Sequence, residues 1–339
     1  MGLKRILRIG LNSLLNHYGF ELVDSRLLYE WQKNPQNAAS YRRSPLPTEA
    51  SSYLVQDNPR LRELQDRYST FNENVTAPFV WTDSHVSPDD MLYFRGDNAW
   101  VWQLREGNLN ELGYALTTYY LKSIDKFGLL KSLVEDDLFG NYSVFVDNAF
   151  VSRDLLDSIN EIYFLERHLN ISASKNLTIL DIGAGYGRLA HRMLNALPNI
   201  KQYICTDAFP ISSFICEYYL RYRNLEGRAK VIPLDQIEDV LRNSSVDIAV
   251  NIHSFSECRT SAIEWWLSIL AKHKVKNLMV IPNPPELRTN DGIDFANIIE
   301  KHGYSMVVKE PKYTDPIVQQ YGINPSNYYL FELRQDKFA

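Results

Sequence analysis

Apolar and polar positions change their rhythm near residue 175. Before it, apolar residues recur at helical spacing. Leu112, Ala115, Leu116, Tyr119 and Tyr120 share one helix face, and so do Leu155, Leu156, Ile159, Ile162 and Tyr163. Ser152 stands where an N-cap belongs for the second of these, and Asp154 falls in its first turn, where the helix dipole favours an anion. After residue 175, short apolar runs alternate with helical patterns: 177–182, 202–206, 230–233, 246–252 and 277–281, then 305–309 and 328–333. Such alternation predicts βαβ units and a parallel sheet. Ser261 followed by Glu264 predicts a capping box at the start of the helix after 246–252.

The chain divides on this reading into three parts. Residues 1–60 form an amphipathic start and a linker, 33–60 being rich in Pro, Ser and Asn. Residues 61–170 form a helical substrate or cap region, and 171–339 an open α/β domain. The start, MGLKRILRI, lacks the apolar core of a secretory signal, and Ile6 stands where myristoylation wants Ser or Thr. It fits a helix docked on the protein or lying at an interface, so peripheral membrane contact through residues 1–15 is part of the expectation.

Composition narrows the function classes. At 339 residues, 45% hydrophobic and 23% charged, the chain is an ordinary globular protein. No apolar run approaches a membrane span. The net charge of −5 argues against a general nucleic-acid surface. Three cysteines, an odd number, suit a reducing, cytoplasmic setting rather than a disulfide framework.

The chemistry concentrates where the first strand meets a glycine loop, Asp181-Ile182-Gly183-Ala184-Gly185-Tyr186-Gly187-Arg188. Alternate glycines let the backbone turn tightly and approach a ligand, and in an open α/β sheet ligands bind past the carboxyl ends of the strands. A dinucleotide fingerprint needs its third glycine where Arg188 stands, and a P-loop needs a Gly-Lys-Ser/Thr ending that is absent. An acid, a spacer and G-x-G-x-G instead resembles motif I of the class I S-adenosylmethionine-dependent methyltransferases.

That resemblance implies a Rossmann-like sheet, mostly parallel with the last strand antiparallel, carrying a helical N-terminal extension. It implies S-adenosylmethionine as the cofactor, held at Asp181, Gly183, Ala184, Gly185 and Gly187. Asp181 would face its cationic end. Asp207, ending the second strand, is placed to accept the ribose hydroxyls, and Asp235 matches a frequent adenine-contacting acid. The polar cluster ending the fourth strand comprises Asn251, His253, Ser254 and Glu257. Asn251 is assigned to the cofactor. His253 is the candidate base, and Glu257 a second catalytic candidate that could orient it, bind a hydroxyl or a metal, or cap the next helix.

Asn283-Pro284-Pro285 looks like the N-P-P motif of amino-methylating DNA enzymes, but Glu286 replaces the aromatic and the strand is the wrong one, so it reads as a turn. Mg²⁺ at Asp207, Asp235, Glu257 and His253 is conceivable; no spacing compels it, and no metal ligand is assigned.

Tyr93–Asn98, Ser152–Ser158, Asp181–Arg188 and Asn251–Glu257 together are similar to the bacterial sugar O-methyltransferases. This implies methylation of a sugar hydroxyl, on a surface polysaccharide or nucleotide-sugar precursor, with no nucleic acid involved; the first 60 residues lie outside the match. Ser254, Arg153 and Trp100 are the acceptor-binding candidates, Trp100 and Trp102 alternating in a strand-like run suited to covering sugar faces. The competing readings are a natural-product or other small-molecule hydroxyl as acceptor, and a non-catalytic cofactor-binding scaffold.

Overall fold

The computed structural model describes residues 45–77, 79–82, 85–96, 100–101 and 111–334, with residues 15 and 18. The amphipathic start, the linker up to residue 44, Asp97, Asn98 and Trp102 lie outside the described residues.

Seven strands form one sheet: β3 Leu177–Ile182, β4 Ile200–Thr206, β5 Ala229–Val231, β6 Ile248–Ile252, β7 Asn277–Ile281, β8 Tyr304–Pro311 and β9 Asn327–Leu333. Their order is β5-β4-β3-β6-β7-β9-β8. Strands β3 to β7 are parallel to their neighbours, while β9 runs antiparallel to both β7 and β8. The Rossmann-like order reverses beside β3, which opens a crevice at its carboxyl end, between β4 and β6. A hairpin of β1 Ser143–Val146 and β2 Ala149–Ser152 stands apart from the sheet.

The principal helices are α1 Pro59–Ser69, α2 Glu111–Ile124, α3 Arg153–Leu169, α4 Arg188–Ala196, α5 Pro210–Tyr222, α6 Ile237–Asn243 and α7 Thr260–Lys272. Two apolar cores cover the two sheet faces, and successive strand residues alternate between them, as a pleated strand requires. Leu180, Ile182, Ala249, Leu278 and Val280 meet α5, α6, α7 and the N-terminal segment. Leu177, Ile179, Ile248, Val250, Met279 and Ile281 meet α3 and α4. Helix α3 starts as expected, with the Ser152 hydroxyl accepting from Leu155 N–H at 3.1 Å.

Four local expectations are corrected. Residues 50–53 form a helical turn rather than linker, with Ala50 and Leu54 buried and Tyr53 stacked on Phe214 and Tyr218. The hairpin interrupts the helical region; Asp147 and Asn148 both take positive φ at its turn, and its alternating Val144, Val146 and Val151 were a readable signal. There is no capping box on α7: Arg259 is the N-cap, and the Ser261 hydroxyl donates to the Asn74 carbonyl. Trp100 lies in no strand. Among the described residues, no helix is long and apolar enough to cross a membrane.

Candidate functional site

The glycine loop leaves β3 in conformations closed to most side chains: Gly183, Gly185 and Gly187 have φ of 75°, 56° and 87°. The Gly183 and Ala184 N–H groups donate to the Thr206 carbonyl at 2.9 and 3.1 Å, tying the loop to the end of β4. A Cβ on Gly183 would stand 2.3 Å from Cβ and Oγ of Ser254. Gly183→Ala therefore meets both a left-handed backbone and a fixed neighbour, and is expected to cost about 2–4 kcal/mol in urea unfolding. Replacing Ser254 by Gly as well removes the clash and recovers part of that loss.

Beside the loop lies a cavity of about 770 Å³, within the range of small-molecule sites. Asp181, Gly183, Ala184, Gly185, Asp207, His253, Ser254, Glu257, Arg153 and Trp100 all line it. The other three predicted residues do not. Gly187 faces α5, where a Cβ would come within 2.9 Å of Cys216 Sγ. Asn251 is fully buried, donating to the Ile182 carbonyl at 3.0 Å and accepting from Phe255 N–H at 2.9 Å, so it holds the turn after β6. Asp235 lies outside and forms a forked ion pair with Arg67 of α1. Among the described residues, no three His, Cys, Asp or Glu side chains gather closely enough to hold a metal.

Electrostatically, three of the cavity's carboxylates, Asp181, Asp207 and Glu257, take hydrogen bonds from neutral donors. Asp181 accepts from the Tyr203 hydroxyl at 2.9 Å, and burial pushes it up to about 7. Asp207 accepts from the N–H groups of Gly185 and Phe209, each at 2.9 Å; burial pushes it also up to about 7. Glu257 is raised by burial while accepting from Trp81 Nε1 and Asn283 Nδ2, each at 2.7 Å. Its hydrogen-bond donors are thus Trp81 and Asn283. His253 has φ of 66° and ψ of −30°, a strained backbone of the kind found at functional sites. Burial, reinforced by the charge of Arg153, pushes its imidazole down to about 3.

Helix α3 contributes a stripe that the sequence reading passed over apart from Asp154. Asp154, Asp157 and Glu161, spaced for one face, are all buried. Asp154 accepts from the Tyr186 hydroxyl. Asp157 pairs with Lys312; burial would raise it, but the charges of Lys312 and Arg153 bring it down to about 2. Glu161 grips Arg188 with two bonds of 2.8 and 2.9 Å. Acids recurring at helical spacing among apolar neighbours were the available signal. Trp81, which stacks obliquely on Trp100 and Phe209, gave none.

No family model matches the chain, and no curated protein matches it. Among solved structures it is similar to magnesium protoporphyrin IX methyltransferase from Synechocystis PCC 6803 with bound S-adenosylmethionine, at 13% identity over 67% of this chain and 98% of that one, TM-score 0.40. It is similar also to precorrin-6y C5,15-methyltransferase from Geobacter metallireducens, at 16% identity over 52% and 88%, TM-score 0.36. A third, an S-adenosylmethionine-dependent methyltransferase from Clostridium acetobutylicum, shares 10% identity over 52% and 90%, TM-score 0.38. Overlaps this slight assign no activity on their own.

Proposed function

We propose that this protein is an S-adenosylmethionine-dependent methyltransferase acting on a sugar hydroxyl. The observation that carries the reading is a glycine-rich loop flanked by Asp181 and Asp207, two cavity carboxylates that form no ion pair among the described residues. A nucleoside bearing sulfonium and ammonium groups, with a net charge of about +1 once its carboxylate is counted, fits that chemistry better than a phosphate ester, which two carboxylates would repel. The cofactor, when bound, supplies a methyl group already activated on sulfonium. Gly183 and Gly185 give the loop its positive-φ turns, with Ser254 packed against the first and Trp100 against the second. Each oxygen of Asp207 keeps lone-pair capacity for a ribose hydroxyl, and Asp181 offers negative potential to the cationic end.

His253, Ser254, Glu257 and Arg153 line the same cavity as Trp81 and Trp100. Aromatic faces with hydrogen-bonding groups suit a sugar ring. This supports the glycan acceptor implied by the sequence resemblance, and the net charge of −5 supports a small acceptor over a nucleic acid.

Calorimetry with S-adenosylmethionine tests the cofactor assignment through its protons. Asp181 and Asp207, pushed from 3.8 to about 7, hold protons that a bound cation expels. Binding in buffers of different ionisation enthalpy should release protons near pH 6.5, and fewer as pH rises to about 7.5 and both groups ionise; affinity should rise with pH over that interval, before the ligand's ammonium, with an α-amino pKa of about 7.7–8.0, loses its own proton. The unliganded fold has the opposite slope. It binds more protons than the unfolded chain between about pH 4 and 7, so these two groups' contribution to stability is lost as pH rises through that window. Binding without proton release would remove both carboxylates from the site. For the acceptor, mass spectrometry of surface glycans from cells with and without the protein should show the loss of a methyl-sized increment.

A further inference from the structure

The turn Asn283-Pro284-Pro285, which reads from sequence as a mere loop, reaches the cavity wall. Asn283 N–H donates to the Ser256 hydroxyl at 3.1 Å, fastening the turn to the 3-10 turn Ser254–Glu257. Its Nδ2 donates to Glu257 Oε1 at 2.7 Å, and Trp81 Nε1 donates to Oε2, also at 2.7 Å. Each carboxylate oxygen therefore has one neutral donor and keeps capacity for another bond. Trp81 is held by its own neighbours, with ring centroids 5.7 Å from Trp100 and 5.5 Å from Phe209. The charge of Glu257 acts on Asp207, just past the end of β4, and Cys258 and Arg259 follow Glu257 in sequence; all of them line the cavity.

We propose that Glu257 takes the proton of the acceptor hydroxyl, and that Asn283 and Trp81 are positioning residues that aim it. The proposal rests on the methyl-transfer reading. As the acceptor oxygen bonds to the methyl carbon, the carbon–sulfur bond breaks and its electron pair stays on sulfur. The hydroxyl proton passes to Glu257 and then to solvent. A carboxylate raised by burial is better matched to that task than His253, whose imidazole barely binds a proton at neutral pH. Two neutral donors orient the carboxylate without the strong stabilisation a cation would give its charged form.

The full chain provides the test. His85 also packs edge-on against Trp81, with ring centroids 5.1 Å apart, so tryptophan emission of the unliganded protein, titrated with pH, should show a step that Glu257→Gln abolishes and His85→Gln leaves in place. Asn283 is exposed, so Asn283→Ala leaves the fold intact. It removes one donor to the carboxylate and should move that step up by about one pH unit. Transfer of radiolabelled methyl from S-adenosylmethionine to nucleoside-diphosphate hexoses, or to extracted surface glycan, should follow. The acid limb of the kcat profile should move by the same amount in Asn283→Ala, with turnover at neutral pH down about tenfold and the KM for S-adenosylmethionine unchanged. Trp81→Phe, which keeps a ring but loses the N–H, should shift the limb likewise. Near-full turnover in Glu257→Gln, or an emission step that moves while the acid limb stays, overturns the proposal and leaves the methyl-transfer reading standing. Failure of the wild type to bind S-adenosylmethionine in calorimetry sinks that reading and this proposal together. Binding without transfer to either class of acceptor rejects the acceptor class and the role of Glu257 with it.

Discussion

Asp207→Ala should weaken S-adenosylmethionine binding by about 100-fold or more, because two charge-assisted hydrogen bonds worth about 1.5–3 kcal/mol each are at stake. The aspartate works twice over. In the free protein its Oδ2 accepts from Gly185 N–H and its Oδ1 from Phe209 N–H, so it pins the glycine loop to the start of α5. Alanine loses the acceptor for ribose and also frees the loop that shapes the cavity. Asp207→Asn separates the two contributions: it is isosteric, but its NH₂ group would confront a backbone N–H. It should lose about tenfold or more in affinity and, with one of the two loop bonds kept, about 1–3 kcal/mol in stability. Calorimetry gives the affinities, and urea unfolding gives the share that is folding. Unchanged affinity in the alanine variant would take Asp207 out of the site.

Features set by local order were legible. The alternation of apolar runs with helical patterns foretold the parallel sheet, because a strand covered on both faces must be apolar along its whole length. Strand β3 is buried at all six positions. The glycine loop was legible because the need for positive φ is written in the residue itself. Features set by contact between distant segments were not. Trp81 and Glu257 meet across 176 residues, and Arg67 and Asp235 across 168. No periodicity encodes either pair. Asp235 shows the consequence: its position after the third strand suggested a cofactor contact, yet an arginine from α1 holds it outside the cavity. Asn251 misled in the opposite way. A polar residue interrupting an apolar strand suggested a ligand contact, but here it satisfies the backbone of the turn that carries His253 and Glu257. The hairpin was readable from Asp147-Asn148 between alternating valines, but the strong helical periods on either side outweighed so short a signal.

Arg188 carries the second large expected effect, and it falls on stability. Arg188 follows Gly187, where a dinucleotide loop would have its last glycine. In this fold the guanidinium turns to α3, bonds both oxygens of Glu161 and donates to the Ser158 hydroxyl at 2.8 Å. The glutamate side chain is only 3% exposed. Burial alone would disfavour the charge on Arg188, yet Glu161 keeps the guanidinium firmly ionised. Arg188→Ala would strand a buried carboxylate and should cost about 3–5 kcal/mol in urea unfolding at pH 8. The loss should shrink toward about pH 5, because an orphaned Glu161 has its folded-state pKa raised, and its proton is bound more tightly folded than unfolded. Removing both partners, with Arg188→Met and Glu161→Leu, takes the stranded charge away, and the double variant should recover most of the loss despite having no ion pair. A double variant as unstable as the single one would mean that the Arg188–Glu161 attraction itself, rather than the cost of isolating one charge, holds α3 against the glycine loop.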